Sequence, residues 1–300
     1  MLRLAHPRHW LSWLLIAWLY ALAQLPLPLL YALGQGLGRL VYVFAGTRRR
    51  IARINLQQCC AAQSPAERER LLRDHFGALG VAALGQGIAW SASPARLKRL
   101  VRVRNEQLLE QRIAARQPTI LLVPHFVGLD IGAAGFYCRF NTGCYLYQRI
   151  RNPVINAQIA KSRSRFGTVG IERRKSLRAV VRTIQRGIPL YYLPDQDPGR
   201  RRGIFVPFCG QPAATVPTLA RLARLTQATV IPISIRLLPR GAGIEVNIQP
   251  PLRDFPTSDL HEDTARMNQC IEEMIHAQPA QYFWVHRRFK TRPPGQPPLY

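Results

Sequence analysis

Acidic residues are scarce in this chain: Asp plus Glu number 16 against 42 Lys plus Arg in 300 residues, a formal charge of +26 at neutral pH. That imbalance lies outside the ordinary range of globular proteins and calls for anionic partners, which are nucleic acid, membrane headgroups or an acidic carrier protein. Lysine is rare too, standing only at 98, 161, 175 and 290. The cationic character is therefore that of arginine, whose planar fork grips phosphate or carboxylate at two points. The chain has no CxxC pair, and its cysteines at 59, 60, 138, 144, 209 and 270 show no regular spacing. Neither a disulfide framework nor a zinc site is expected, and neighbours 59 and 60 bridge each other only awkwardly. All six read as small apolar fillers in a chain exposed to the cytosol. No internal repeat or low-complexity tract is present, and 47% hydrophobic residues suffice for one large catalytic domain.

Charge of either sign is missing from Trp10 to Gly38. Arg3 and Arg8 precede this stretch, Arg39 follows it, and Arg48, Arg49 and Arg50 lie a little beyond. Its uninterrupted helical part, from Trp10 to about Leu25, ends before Pro26 and Pro28. Roughly 16 residues at 1.5 Å give ~24 Å, short of a ~30 Å hydrocarbon core, so the segment either spans with help from residues 27–33 or lies partly in one leaflet. Trp10, Trp13, Trp18, Tyr20 and Tyr31 are the rings expected at a headgroup interface, and the basic flanks favour the cytoplasmic side. A cleavable signal peptide ending at Ala21-Leu22-Ala23 is the alternative, but apolar character continues well past that cut. The expectation is a retained membrane anchor over residues 1–45 and a single catalytic domain over 46–300.

Beyond the anchor, residues 62–92 have helical spacing and open on Ser64, Pro65 and Glu67, a capped start with proline in the first turn. Apolar runs of strand length at 119–123, 144–147, 189–193 and 229–237 then alternate with helix-like stretches at 152–165, 176–186 and 214–226, and a last helix is expected over 258–277. Such alternation predicts an α/β fold with a mostly parallel central sheet flanked by helices.

The strand TILLV leads into Pro124, His125, Phe126, Val127, Gly128, Leu129 and Asp130, which places an imidazole at a strand's carboxyl end with a carboxylate five residues on. Five residues apart on one helix, side chains diverge by ~140°, so the pair meets only if His125 sits in the turn before the helix. His125 would then act as general base on an attacking hydroxyl, with Asp130 fixing its tautomer. The alternative is a satisfied loop histidine and a helix-start carboxylate.

The blocks HPRHWLSWL, QLPLPLLYALGQGLGRL, HFVGLD, LPDQDPG, GIFVPFCG and YFWVHRRFKTRP together resemble the late acyltransferases of lipid A biosynthesis, of the lauroyl and myristoyl type, within the lysophospholipid acyltransferase-like superfamily. The resemblance covers nearly the whole chain. It implies transfer of an acyl chain from an acyl carrier protein thioester to the 3-hydroxyl of an acyl group on a Kdo-bearing lipid A precursor. It also implies a Gram-negative inner membrane location with the catalytic domain facing the cytoplasm, and no cofactor beyond the thioester. His125 matches the family's catalytic histidine, and Asp130 stands where the family often has glutamate. Arg163 and Asp195 look like further site residues. Arg163 would hold lipid phosphate or the developing oxyanion, or else belongs to a solvated basic helix face with Lys161 and Arg165.

Asp195 follows the apolar run PLYYLP and could buttress an arginine or orient substrate. With Asp197 it makes only a poor site for a loosely held hard cation, and no metal is expected. Arg200, Arg201 and Arg202 precede an apolar run and could receive headgroup phosphate, or form an ordinary exposed loop. His286, Arg287, Arg288, Lys290 and Arg292 form a terminal basic patch open to the same two readings. The rivals are an acyltransferase for glycerol phosphate or lysophospholipid, a cationic nucleic-acid binder supported by charge alone, and a periplasmic binder with a signal peptide. No nucleic-acid partner is expected.

Overall fold

Prolines and glycines set the shape of the helical N-terminal part. The computed structural model describes residue 4, residues 6–172 and residues 177–300. Helix α1 (Trp10–Leu22) stops short of Pro26, which caps α2 (Leu27–Phe44), and α3 (Gly46–Cys59) and the long α4 (Pro65–Ser91) follow. The start of α4 is the expected one. Glu67 N–H donates to Ser64 Oγ (3.3 Å), Ser64 N–H donates to Glu67 Oε2 (2.7 Å), and Pro65 fills the first turn. Helix α2 runs antiparallel along α4, and glycines set how close the two come. A Cβ on Gly38 would lie 2.2 Å from the Phe76 carbonyl oxygen, and one on Gly80 would lie 2.1 Å from that of Gly34. Helix α1 crosses further along α4, where a Cβ on Gly87 would lie 2.0 Å from the Leu19 carbonyl oxygen.

The body continues as α5 (Pro94–Leu100), β1 (Val101–Arg104), α6 (Gln107–Ala114), β2 (Thr119–Leu122), α7 (Leu129–Phe140), β3 (Gly143–Tyr147), α8 (Pro153–Arg163), β4 (Thr168–Glu172) and α9 (Leu177–Gln185). It ends with β5 (Leu190–Tyr192), β6 (Ile204–Phe208), β7 (Gln211–Thr215), α10 (Thr218–Thr226), β8 (Thr229–Leu237), β9 (Ile244–Ile248) and α11 (Leu260–His276). Seven strands form one sheet in the order β1-β9-β8-β2-β5-β3-β4, parallel throughout except for the antiparallel pair β8–β9. Each residue of β2 is buried, as an apolar run with neighbours on both edges and helices on its faces requires.

The α/β expectation and its central strands therefore match, with one difference. The stretch expected as a helix over 214–226 begins as strand: Gln211–Thr215 pairs antiparallel with Ile204–Phe208 and buries Ala213 and Ala214, so the helix starts only after Pro217. The expected start of the preceding helix at residue 176 lies outside the described residues.

The cysteine expectation is corrected as well. Cys59, at the end of α3, and Cys209, in the β6–β7 turn, form a disulfide across 150 residues with a Cα–Cα distance of 4.8 Å. Only the folding of the chain brings the β6–β7 turn to the end of α3, so spacing along the chain carries no trace of the pair. Cys60, Cys138, Cys144 and Cys270 are free.

Candidate active site

The site arises from two strands that end alike. β2 continues as Val123-Pro124-His125 and β5 as Leu193-Pro194-Asp195, and their last residues, Leu122 and Tyr192, are register partners. Val123 N–H extends the ladder to Tyr192 O (2.9 Å). Three further residues on each strand therefore bring His125 and Asp195 side by side at the carboxyl edge of the sheet, where open α/β sheets place their chemistry. Asp195 is wholly buried and clamps the histidine twice: His125 Nδ1 donates to Oδ1 (2.6 Å) and His125 N–H donates to Oδ2 (2.9 Å). A carboxylate only accepts, so the ring proton sits on Nδ1 and Nε2 is left as a base.

Electrostatics agree with that assignment. Burial alone would push the His125 pKa down, but the Asp195 charge and hydrogen bond, helped by the Asp130 charge, outweigh it and hold the imidazole above its usual value. Burial would likewise raise Asp195, and the His125 charge together with its two hydrogen bonds keeps the carboxyl below its usual range instead. The C-terminal segment pins the turn that carries His125. Phe283 N–H donates to His125 O (2.9 Å), Val127 N–H donates to Gln281 O (2.8 Å), and Phe126 bridges Tyr282. Asn55, buried on α3, holds that segment in turn by donating to Trp284 O (2.6 Å) and His286 O (2.7 Å).

His125 and Asp130 line the same cavity of about 580 Å³. Asp130 stands in the first turn of α7, and its carboxylate accepts from Arg163 Nη2 (3.2 Å) and Gln86 Nε2 (3.2 Å). Asp195 is thus the carboxylate bonded to the imidazole, whereas Asp130 was expected to fix its tautomer. The reason is that strand register, and not local spacing, delivers the partner, from 70 residues away. Arg163, at the end of α8, lies over the Tyr145 ring (5.2 Å to the centroid) and reaches into the cavity rather than forming part of a solvated face. Ala133, Ala134, Ile159, Val180 and Leu222 supply apolar wall, and Trp90, Tyr145 and Tyr191 supply aromatic wall. Of the three arginines before β6, Arg202 lines the cavity, Arg201 is exposed, and Arg200 is exposed with its Nη2 donating to Arg292 O (3.3 Å).

Asp197 is occupied by donors. Thr291 N–H (2.6 Å) reaches Oδ2, and Thr291 Oγ1 (2.9 Å) and Gly199 N–H (2.8 Å) reach Oδ1. Among the described residues no group of three or more His, Cys, Asp or Glu is placed to hold a metal ion. Of the expected terminal basic patch, Arg288 turns out to be internal and His286 half-buried. His286 Nε2 accepts from Asp197 N–H (3.1 Å), and burial pushes its pKa down to about 4, so the ring is neutral. Arg288 is 1% exposed, donates to Ala214 O (2.8 Å) and Thr215 Oγ1 (2.7 Å), and lies over the Phe208 ring. Their spacing offered no signal of this, because an internal arginine and a surface arginine look alike in a run such as HRRFK. Asn55 and Gln86 likewise carry nothing in their local sequence that marks them as supports of a site.

Comparison with known proteins gives a consistent result. The family model for bacterial lipid A biosynthesis acyltransferase matches residues 2–291. The chain is 35% identical to a lipid A biosynthesis lauroyltransferase of Escherichia coli K12 over 99% of this chain and 97% of that one. It is 32% identical to a palmitoleoyltransferase of the same strain, covering 98% and 96%, and 30% identical to a myristoyltransferase, covering 97% and 90%.

Proposed function

Since this chain belongs to the bacterial lipid A biosynthesis acyltransferase family and is an acyltransferase, we propose that it moves a fatty acyl chain, lauroyl or similar, from an acyl carrier protein thioester to the 3-hydroxyl of an acyl group on a Kdo-bearing lipid A precursor. The observation that carries the reading is the clamped histidine: Asp195 fixes the proton on Nδ1, which leaves Nε2 of a ring that is partly open to an amphipathic cavity.

Nε2 takes the proton of the acceptor hydroxyl as its oxygen attacks the thioester carbonyl. The tetrahedral oxyanion collapses, the carbon–sulfur bond breaks, and the imidazolium returns the proton to the carrier thiolate. Asp195 stabilises the transient imidazolium without itself taking the proton. Arg163, held by Asp130 at the cavity wall, presents a guanidinium to the oxyanion or to a lipid phosphate, and Arg202 presents a second cation at the same cavity. Arg200 and Arg201 extend that cationic surface outward. No cofactor enters this scheme, the helices up to residue 45 serve as membrane anchor, and the catalytic domain works at the cytoplasmic face of the inner membrane.

The test is a choice of acceptors. Full-length protein supplied with defined acyl carrier thioesters is offered a Kdo-bearing tetra-acyl lipid A precursor or a lysophospholipid, and product mass is followed. One acyl increment on the lipid A precursor is expected. An increment confined to the lysophospholipid would retain the chemistry and reject the acceptor.

A further inference from the structure

Helix α2 is the one helix among the described residues long and apolar enough to cross a membrane. Its 18 residues give ~27 Å, close to a ~30 Å hydrocarbon core. Its packing contradicts a crossing. At its start, Leu27 and Pro28 lie against the β8–β9 turn, where a Cβ on Gly241 would come within 2.7 Å of the Leu27 carbonyl oxygen and of Pro28. At its end, the Tyr42 hydroxyl bonds Glu69, which Arg53 also grips (3.1 Å). In between, Gly34 and Gly38 hold the helix against α4, whose first turns carry Glu69, Arg70, Arg73 and Asp74.

Both ends of α2 are thus fastened to one body, and that body includes β8, the neighbour of β2, the strand that leads to His125. Sending α2 across a bilayer would pull charged turns of α4 and the β8–β9 turn into hydrocarbon, where unpaired backbone and ionised groups are strongly disfavoured.

We propose that α1 and α2 form a plate lying in the plane of one leaflet of an anionic bilayer, so that the protein enters the membrane without spanning it. The buried stripe of α2 is Leu27, Leu30, Gly34 and Gly38. Its opposite face would be polar in a water-exposed helix, but here it presents Leu29, Leu33, Leu40 (58% exposed) and Phe44 (82%). Helix α1 adds Trp10 (61% exposed), Trp13 and Trp18, rings suited to the headgroup boundary.

Charge identifies the occupant of that face. No Asp or Glu occurs before Glu67, whereas arginines stand at 3, 8, 39, 48, 49, 50 and 53. A second copy of this chain, equally cationic, would be repelled, while acidic headgroups would be attracted. The plate also adjoins the site. Asn152, which caps α8, donates to Ser12 on α1 (2.8 Å), and α8 and α4 carry Arg163 and Trp90 of the cavity wall. A lipid acceptor could therefore reach His125 sideways from the leaflet.

The inference rests on packing and not on the reaction, and neither readout below involves turnover. Gln24→Cys, in the turn between α1 and α2, and Arg240→Cys, in the β8–β9 turn, are treated with a membrane-impermeant maleimide in spheroplasts and in inside-out vesicles. Mass spectrometry of the peptide bearing each position reads the label. Position 24 is expected to react from the same face as position 240, or only after detergent strips the lipid. Reaction of 24 from the face opposite 240 overturns the proposal. Purified full-length protein is expected to float with phosphatidylglycerol vesicles and to lose at least about tenfold in binding when the lipid is phosphatidylcholine alone, and equal binding to both would remove the anionic lipid as its partner.

Discussion

Asp195→Asn isolates the clamp on His125. The native carboxylate accepts from the backbone N–H and from Nδ1–H of His125, but an amide offers only one oxygen. If that oxygen faces the backbone N–H, the NH₂ group points at Nδ1. The ring proton must then move to Nε2, and the base is lost. The expected fall in rate is about a thousand- to ten-thousand-fold, ~4–5.5 kcal/mol of transition-state stabilisation. If the amide is turned over, the tautomer survives but two donors oppose each other in a buried site, which costs about 1–3 kcal/mol of folding stability.

The pH dependence separates the cases. In the native protein Asp195 helps to hold His125 above its usual value near 6.5. The reactive form is the neutral ring, so activity should rise with pH through a midpoint above ~6.5. In Asp195→Asn the raising charge is gone while burial still lowers the pKa, so the residual activity should have its midpoint at lower pH. Acyl-transfer rates across pH, with thermal melts to confirm folding, make the assay. A folded variant that loses less than tenfold, with its acidic limb unmoved, would refute the reasoning.

Three further outcomes follow from the same geometry. Asp130→Asn should lower kcat/KM at least about tenfold, ~1.4 kcal/mol, while its melting behaviour changes by under ~1 kcal/mol, because the Arg163 pair is 36% and 40% exposed; a loss of stability with unchanged rates would make the pair structural. Arg288→Ala should cost about 3 kcal/mol in denaturant unfolding, since it removes a buried donor from Ala214 O and leaves Thr215 Oγ1 with Asn268 as its remaining donor, and a neutral result would mean that the β6–β7 hairpin does not depend on it. Cys59→Ser should lower stability by about 2–4 kcal/mol in oxidising buffer and change little in reducing buffer, and an equal loss in both would assign the effect to packing rather than to the bond with Cys209.

The contrast between His125 and its partner shows how far the site was legible in the sequence. An apolar run ending in Pro-His is a local pattern, and it marked the strand's carboxyl edge correctly. The run PLYYLPD placed Asp195 at a strand end as well, but nothing local says that the two strands are neighbours, or that Leu122 faces Tyr192. Asp130 looked like the partner because it is near in sequence, and the three-dimensional neighbour lay 70 residues on.

Long elements with strong caps, such as α4 behind Ser64 and Glu67, were recoverable because their signals are local. The β6–β7 hairpin was not, because its alanines favour helix and only its antiparallel partner holds them extended. The inward arginine at 288 and the Cys59–Cys209 bond were hidden for the same reason, since burial and pairing at long range are properties of the packed chain.

The central claim is that His125 acts as the base for acyl transfer to a lipid hydroxyl. Its most direct measurement is product mass from the Kdo-bearing acceptor and an acyl carrier thioester, with folded wild-type protein beside folded His125→Ala. A single acyl increment in the wild type and at least about a thousandfold less in the variant is the predicted result. Comparable product from both proteins would contradict it.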